Sequence, residues 1–182
     1  MALIQTLIAN TAALTHLYNM KKELISKSLK GTLFNLADLE LYNSHLYKYV
    51  ANWCQMMGYF GAQKHFLKEA AEEIEHYQKV VDFLNDGGIL LDLGQVDAPT
   101  EKFTDLGTVL MAAYEQEIYT EKQYTALAAK AMQEDHVVYE FALNVLKHQR
   151  KAVGEYGDLI ARYNLVKDDS CGILIIDKEL GA

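Results

Sequence analysis

Proline occurs only once in this chain of 182 residues, at Pro99, and that scarcity is what most limits the fold. Proline lacks a backbone N–H and has a fixed φ, so it breaks helices and strand ladders. Alanine, leucine, glutamate and lysine, which favour helices, fill the long stretches on either side of Pro99. Apart from ILII at residues 173–176, we find no alternating run of β-branched residues that favours a strand. The sequence therefore predicts an all-α protein.

Four long helical patterns follow one another along the chain. They cover about Ser26 to Met57, Ala62 to Asn85, Thr104 to Met132, and Val137 to Tyr163. GYFG at 58–61 and QEDH at 133–136 are short turns, so the helices that each joins are predicted to be antiparallel neighbours. The connection over 85–103 is too long for such a turn and lets the third helix run parallel to the second. These lengths predict a four-helix bundle with one long crossover between helices two and three, followed by a short C-terminal element at 173–180.

Residues 1–25 stand apart from this pattern, and we expect them to form an amphipathic appendage of unknown role before a bundle domain over 26–182. The appendage carries no charged residue before Lys21, so it lacks the basic start of a signal peptide. No stretch of the chain reaches the ~18 unbroken apolar residues that a membrane span needs. We therefore expect no membrane association.

The net charge and the cysteine content restrict the classes of partner and the cellular compartment that suit this chain. The formal net charge of −8 argues against a nucleic-acid-binding protein, which would need clustered lysine and arginine, and suits a cationic partner. Cys54 and Cys171 do not form a disulfide framework and suit a reducing compartment. A cytoplasmic location follows as the expectation.

Each predicted helix carries a polar residue in the middle of its apolar stripe. In the second helix, Glu73 and His76 lie on the stripe that also holds Phe66 and Val80. The other interruptions are Glu40 with Tyr47 in helix one, Glu117 in helix three and Gln149 in helix four. Counted from the short turns, these residues lie at similar depths, since antiparallel helices place residues equidistant from their turn side by side. They are predicted to meet inside the bundle.

Three carboxylates in one dry site need a cation. At ~6 Å and an effective dielectric constant of about 20, each charged pair repels by roughly 3 kcal/mol, and the burial of each charge costs several kcal/mol more. A single Glu-x-x-His segment is usually a solvated helix face, but convergence from four helices favours a dinuclear metal site. Carboxylate and imidazole ligands suit iron.

The predicted site is unequal in its two halves. Glu40, Glu73 and His76 can hold one ion, whereas the second ion has Glu73 and Glu117. Helix four offers Gln149 and Ala152 where a symmetric site would have glutamate and histidine. A weak second position suits iron that enters, is oxidised and leaves.

These residues and their spacing resemble those of the ferritins. Glu73 follows Glu40 by 33 residues, His76 follows Glu73 by 3, and Glu117 follows His76 by 41. LELYNSHLYKYVANWC at 39–54, EEIEHYQKVVDFLNDGG at 72–88 and the closing IIDKEL resemble the bacterial non-haem type, and HQRKAVGEYGD at 148–158 is closer to the animal heavy-chain type. The resemblance covers about residues 26 to 180.

The resemblance implies iron storage in a hollow homo-oligomeric shell, typically of twenty-four subunits. The resemblance also implies that Fe(II) is oxidised to Fe(III) at a dinuclear ferroxidase centre and that oxygen or hydrogen peroxide takes the electrons. The implied roles are Glu40, Glu73 and His76 at the first iron, Glu73 and Glu117 at the second, Glu72 and Gln149 beside the second, and Tyr47 next to the site. Tyr47 either acts in the oxidation or is a core tyrosine whose hydroxyl has found a partner.

Departures from the family pattern limit what is implied. His148, Lys151 and Ala152 stand where bacterial ferritins place glutamates for a third iron. Ile74 stands where bacterioferritins have their haem-binding methionine, so no haem is expected. The alternative function is a di-iron carboxylate oxidase that retains its metals and acts on another substrate. Such enzymes usually have two Glu-x-x-His segments, and this chain has one, at 73–76.

Overall fold

The computed structural model describes residues 21–182, which form five helices and no strand. The helices are α1 (Lys27–Met57), α2 (Phe60–Asp86), α3 (Leu106–Glu134), α4 (His136–Val166) and α5 (Ser170–Leu180). The four long helical patterns are confirmed, and each of their ends lies within three residues of the predicted one. The predicted appendage lies outside the described residues except for 21–25, of which Ile25 is buried in the core. None of the described helices is both long and apolar enough to span a membrane.

Short turns join the helices into two hairpins, α1 with α2 and α3 with α4. Gly58 ends α1 in the left-handed conformation, with φ of 85°, and its N–H reaches the carbonyls of the last turn. A residue with a Cβ rarely adopts that conformation, so glycine gives the sharp reversal. Asp135 caps α4 through hydrogen bonds from the backbone N–H groups of Val137 and Val138. Both predicted hairpins are therefore present.

The long crossover between α2 and α3 lies against α1. The Tyr42 hydroxyl donates a hydrogen bond of 2.9 Å to the Glu101 carboxylate, and the Tyr49 hydroxyl donates one of 3.2 Å to the Glu101 backbone carbonyl. At the end of the crossover, Asp105 and Thr108 form a capping box that starts α3. These contacts fix where the second hairpin begins relative to the first.

The core consists of two hydrophobic clusters with a layer of polar side chains between them. Leu33 and Leu127 belong to one cluster, and Val50 and Phe66 belong to the other. The buried residues between the clusters, called the polar layer below, are Glu40, Asn43, Ser44, Glu73, Glu117, Thr120 and Gln149. All four long helices contribute to this layer, as the interrupted stripes predict.

The C-terminal helix α5 closes the end of the bundle where α2 begins. The buried Asp177 carboxylate accepts hydrogen bonds from the backbone N–H of Gly61, at 3.2 Å, and of Ala62, at 2.8 Å. These N–H groups are in the first turn of α2 and have no partner within the helix. A Cβ on Gly61 would lie 1.7 Å from the Asp177 carbonyl oxygen, so the close approach of α5 depends on that glycine.

We expect Asp177→Ala to lower the free energy of unfolding by about 1 kcal/mol, the usual cost of removing a capping side chain. Denaturant unfolding of the wild type and the variant at equal protein concentration measures the difference. Asp168→Ala removes an exposed carboxylate in the turn before α5 and is the matched control. Equal stability of the Asp177 variant and this control would contradict the capping role.

Candidate metal centre

Three glutamates form the middle of the polar layer, and each comes from a different helix. Glu40 lies on α1, Glu73 on α2 and Glu117 on α3, with exposed fractions of 1%, 6% and 3%. Each lies on the stripe that its helix buries, because the helical period places it in line with the apolar residues one and two turns away. Carboxyl groups are rarely buried to this degree unless they are paired or bind a metal.

Glu40, Glu73 and His76 form a compact group of ligand atoms. One oxygen of each glutamate and one ring nitrogen of His76 lie within 4.8 Å of one another. His76 Nδ1 is 3.2 Å from Glu73 Oε2, as the spacing of three residues on one helix face allows. Two carboxylates and an imidazole at these separations make a donor set suited to a divalent transition-metal ion. The structure thus brings together the three residues predicted for the first iron.

Glu117 lies beside this group and is held by two of the other predicted residues. The Tyr47 hydroxyl donates a hydrogen bond to Glu117 Oε1, and the Gln149 side-chain amide donates one to Glu117 Oε2. Gln149 also donates to the Glu117 backbone carbonyl, at 3.1 Å. Tyr47 and Gln149 therefore reach the centre from α1 and α4 through Glu117.

Burial and mutual repulsion raise the pKa of each of these carboxyl groups when no cation is present. Burial, and then the charge of Glu73, raises the pKa of Glu40 to about 8. Burial, and then the charge of Glu117, raises the pKa of Glu73 to about 8. The pKa of Glu117 is also raised by burial, although the hydrogen bonds from Tyr47 and Gln149 oppose the shift. A cation that binds here replaces protons.

Tyr124 also contacts the centre, and the sequence analysis did not identify it. The Tyr124 hydroxyl donates a 2.5 Å hydrogen bond to Glu40 Oε1. Tyr47 follows Glu40 by seven residues and Tyr124 follows Glu117 by seven, and each tyrosine binds the glutamate of the other helix. That repeated spacing in two antiparallel helices is the signal that identifies Tyr124 as a partner.

The centre opens into a groove of about 760 Å³ between α2 and α4. Glu73, His76, Glu117 and Gln149 lie at its inner end. Glu72 lines the groove too; it is half-buried, and its carboxylate is 3.2 Å from Lys68 Nζ. Cations therefore have a path to the buried glutamates, and the predicted place of Glu72 beside the second ion stays a prediction.

Two further groove residues, His148 and Lys151, stand where the resemblance called for glutamates. Lys151 pairs with Glu155 at 3.0 Å. A lysine and an exposed histidine are poor replacements for two carboxylate ligands. The weakness of a third metal position stays a prediction from the sequence.

The family relationship agrees with this geometry. A sequence profile of the Ferritin-like domain family matches residues 32–166, from the second turn of α1 to the end of α4. The chain belongs to that family. The match contains every glutamate of this ferritin-like centre, together with His76, Tyr47 and Gln149.

Individual proteins and a solved structure that are similar to this chain are also ferritins or ferritin-like. This ferritin-like chain is 28% identical over 159 residues to a probable bacterial non-heme ferritin-like protein of Haemophilus influenzae, covering 87% of this chain and 96% of that protein. It is also 28% identical over 162 residues to the bacterial non-heme ferritin of Escherichia coli, covering 88% and 95%. Its fold is similar to that of an open pore ferritin from Archaeoglobus fulgidus, with a TM-score of 0.85, 25% identity, and coverage of 88% and 98%.

The raised pKa of Glu40 predicts how the stability of the metal-free protein depends on pH. Between about 4.5 and 8 the folded state holds a proton on Glu40 that the unfolded state has released, so stability falls as pH rises through that range. The Glu40→Gln variant has no ionisable group at this position. We therefore expect the variant to gain stability relative to the wild type as pH rises to about 8, with no further gain above it.

Denaturant unfolding at a series of pH values, with a chelator present, measures this difference. Glu115→Gln changes an exposed glutamate on α3 and is the control, for which we expect a curve parallel to that of the wild type. A parallel curve for Glu40→Gln as well would show that Glu40 titrates normally.

Proposed function

We propose that this protein stores iron: it oxidises Fe(II) to Fe(III) at the centre described above and deposits a ferric mineral inside a hollow homo-oligomeric shell. The observation that carries the proposal is the convergence of Glu40, Glu73 and His76 in the core, with Glu117 next to them. The cost of burying these groups is offset when cations bind. The bacterial non-heme ferritin relatives support the choice of iron as that cation.

In the proposed reaction two Fe(II) ions are the substrate. Glu40, Glu73 and His76 hold the first ion, and Glu73 and Glu117 hold the second. The carboxyl groups release their protons as the ions bind, because the pKa shifts that burial causes are reversed by a nearby positive charge. Each Fe(II) gives up one electron, and oxygen or hydrogen peroxide accepts the pair. The protein acts mainly as a template that holds two metal ions together.

The unequal ligand sets favour passage of iron over its retention. The first ion has three ligand residues, Glu40, Glu73 and His76, whereas the second has Glu73 and Glu117 alone. Ala152, which lines the same groove, contributes no ligand. The second ion is therefore held more weakly than the first, so Fe(III) can leave along the groove. Glu72, on the wall of the groove, is proposed to contact iron on this path.

Assembly into a shell of twenty-four subunits in the cytoplasm is part of the same proposal, with no haem bound. Large apolar side chains lie exposed at several places on the subunit surface. Examples are Met56, Phe60, Leu93 and Leu165, with exposed fractions of 84%, 66%, 78% and 85%. Exposed apolar surface of this kind is typical of regions that bury themselves against other subunits.

The second candidate function is a di-iron oxidase that keeps its metals and acts on an organic substrate. A groove of about 760 Å³ has room for a small molecule. The single Glu-x-x-His segment and the weak second position argue against permanent retention of two ions. Iron storage is therefore the function that the site supports better.

Aerobic addition of Fe(II) to the purified protein tests the proposal. We expect rapid oxidation, with many iron atoms retained in a large soluble assembly, as measured by absorbance and native mass. In Glu73→Ala, which loses the carboxylate shared by both ions, the initial rate should fall to that of free Fe(II) in the same buffer while the assembly persists. Two tightly held iron atoms and no mineral would favour the oxidase instead.

Glu115→Ala is the matched control for that experiment. It removes a glutamate that is exposed on α3, two residues from Glu117, and it should oxidise Fe(II) at the wild-type rate. Equal losses in the two variants would point to net charge, and not to ligation, as the cause.

Tyr47→Phe tests whether the tyrosine acts in oxidation or only fills the core. The variant keeps the ring that packs on Phe66 with centroids 5.8 Å apart, but it loses the hydroxyl that binds Glu117. We expect slower Fe(II) oxidation with little change in assembly. Tyr42→Phe, which removes a hydroxyl bound to Glu101 in the crossover, is the control. Equal rates for both variants would assign Tyr47 to the core alone.

A further inference from the structure

We propose that Asn43 and Gln116 are a pair of positioning residues for the centre. Asn43 orients the Glu40 carboxylate to receive the first metal ion, and Gln116 determines which end of the Asn43 amide faces that carboxylate. The inference rests on the proposed metal-binding function and assigns a role to two residues that lie outside the predicted ligand set.

Asn43 is fully buried in the polar layer, with an exposed fraction of 0%. It lies three residues after Glu40 and hence on the same face of α1. Its amide nitrogen donates to Glu40 Oε2 at 3.4 Å and to Thr120 Oγ1, on α3, at 3.2 Å. Its amide oxygen accepts a 2.6 Å hydrogen bond from Gln116 Nε2. Both donors and the acceptor of the amide therefore have partners.

Gln116 removes the ambiguity in the direction of that amide. An asparagine side chain has nearly the same shape when its oxygen and nitrogen are exchanged, so only its hydrogen-bond partners fix the orientation. The Gln116 amide group donates to the Asn43 oxygen, which turns the Asn43 nitrogen toward Glu40 and Thr120. Without Gln116, only Glu40 and Thr120 would hold the Asn43 amide, so its orientation would be fixed less firmly.

The Glu40 carboxylate is thereby held at both oxygens. Tyr124 donates to Oε1 at 2.5 Å and Asn43 donates to Oε2 at 3.4 Å. Each carboxylate oxygen has two lone pairs, so one on each remains for a cation. Asn43 thus fixes the direction of the Glu40 carboxylate at the first metal position.

The length of the Asn43–Glu40 contact fits this role. At 3.4 Å it is a long hydrogen bond, and contacts of this kind often tighten only when the site is loaded. Side chains that hydrogen-bond to metal ligands typically change metal affinity by about 10-fold to 100-fold when they are removed. A measurable effect on binding is therefore expected from a residue that does not itself touch the metal.

The test uses Co(II), which binds such sites and has a visible spectrum that reports the coordination geometry. Asn43→Leu keeps the side-chain volume but removes the amide, and we expect about 10-fold weaker Co(II) binding at the centre together with an altered spectrum. Gln116→Met removes the donor that orients Asn43 and should weaken binding several-fold. Because Gln116 acts through Asn43, the double variant should bind like Asn43→Leu alone.

Ser44→Ala is the matched control. Ser44 is the next residue on α1, is equally buried, and donates a 2.7 Å hydrogen bond to the Ala70 carbonyl of α2. Its loss removes one buried hydrogen bond without touching a carboxylate. We expect this variant to lose thermal stability but to keep the Co(II) affinity and spectrum of the wild type.

Wild-type Co(II) affinity and spectrum in Asn43→Leu would overturn the inference. Independent, additive effects of the two substitutions would overturn the pairing of Gln116 with Asn43. If Asn43→Leu does not fold, Gln116→Met is the deciding variant, because the Gln116 side chain is only half-buried. Unchanged Co(II) binding in Gln116→Met would then overturn the inference. Failure of the wild-type chain itself to bind Co(II) would overturn the proposed function as well.

Discussion

The repulsion among three buried carboxyl groups determines how the middle of this bundle is built. Glu40, Glu73 and Glu117 meet in a layer from which water is largely excluded, between two hydrophobic clusters. Neither cluster can supply a counter-charge, so the layer balances its charge with protons or with cations. The fold contributes rigidity, because each carboxylate is carried by a different helix that is packed on both sides. The helices cannot move apart to relieve the repulsion without exposing the clusters.

Neutral hydrogen-bond donors surround the carboxylates, and the charge of the site depends on their being neutral. Tyr47 and Tyr124 cross between α1 and α3, so that each helix holds the glutamate of the other. Asn43 and Gln149 add amide donors from α1 and α4. Such donors stabilise an ionised carboxylate without adding positive charge that would repel a metal ion. Had lysine or arginine stood at these positions, the layer would be neutral and would have little affinity for cations.

The sequence was enough to predict the helices, the crossover and the convergence of Glu40, Glu73 and His76, because all of these depend on periodicity and on depth from the turns. Glu73 and His76 were identifiable since polar residues on a buried stripe need an explanation. Asn43 and Gln116 were not, because a small amide on a buried face is ordinary and its partner is 73 residues away. The cap formed by Asp177 was hidden for the same reason: side-chain contacts between distant helices follow from three-dimensional packing, which the helical period does not specify.

The position of Asp177 in the chain affects the order in which the protein is made. The residue that caps the first turn of α2 lies 115 residues after Ala62, beyond all four helices of the bundle. During synthesis the first turn of α2 therefore lacks the Asp177 cap until all four bundle helices have been translated. Domains form as units as the chain emerges, and here the last helix completes an end of the bundle that the earlier helices leave open. Docking of α5 thus separates a bundle in which the first turn of α2 is capped from one in which that turn is still open.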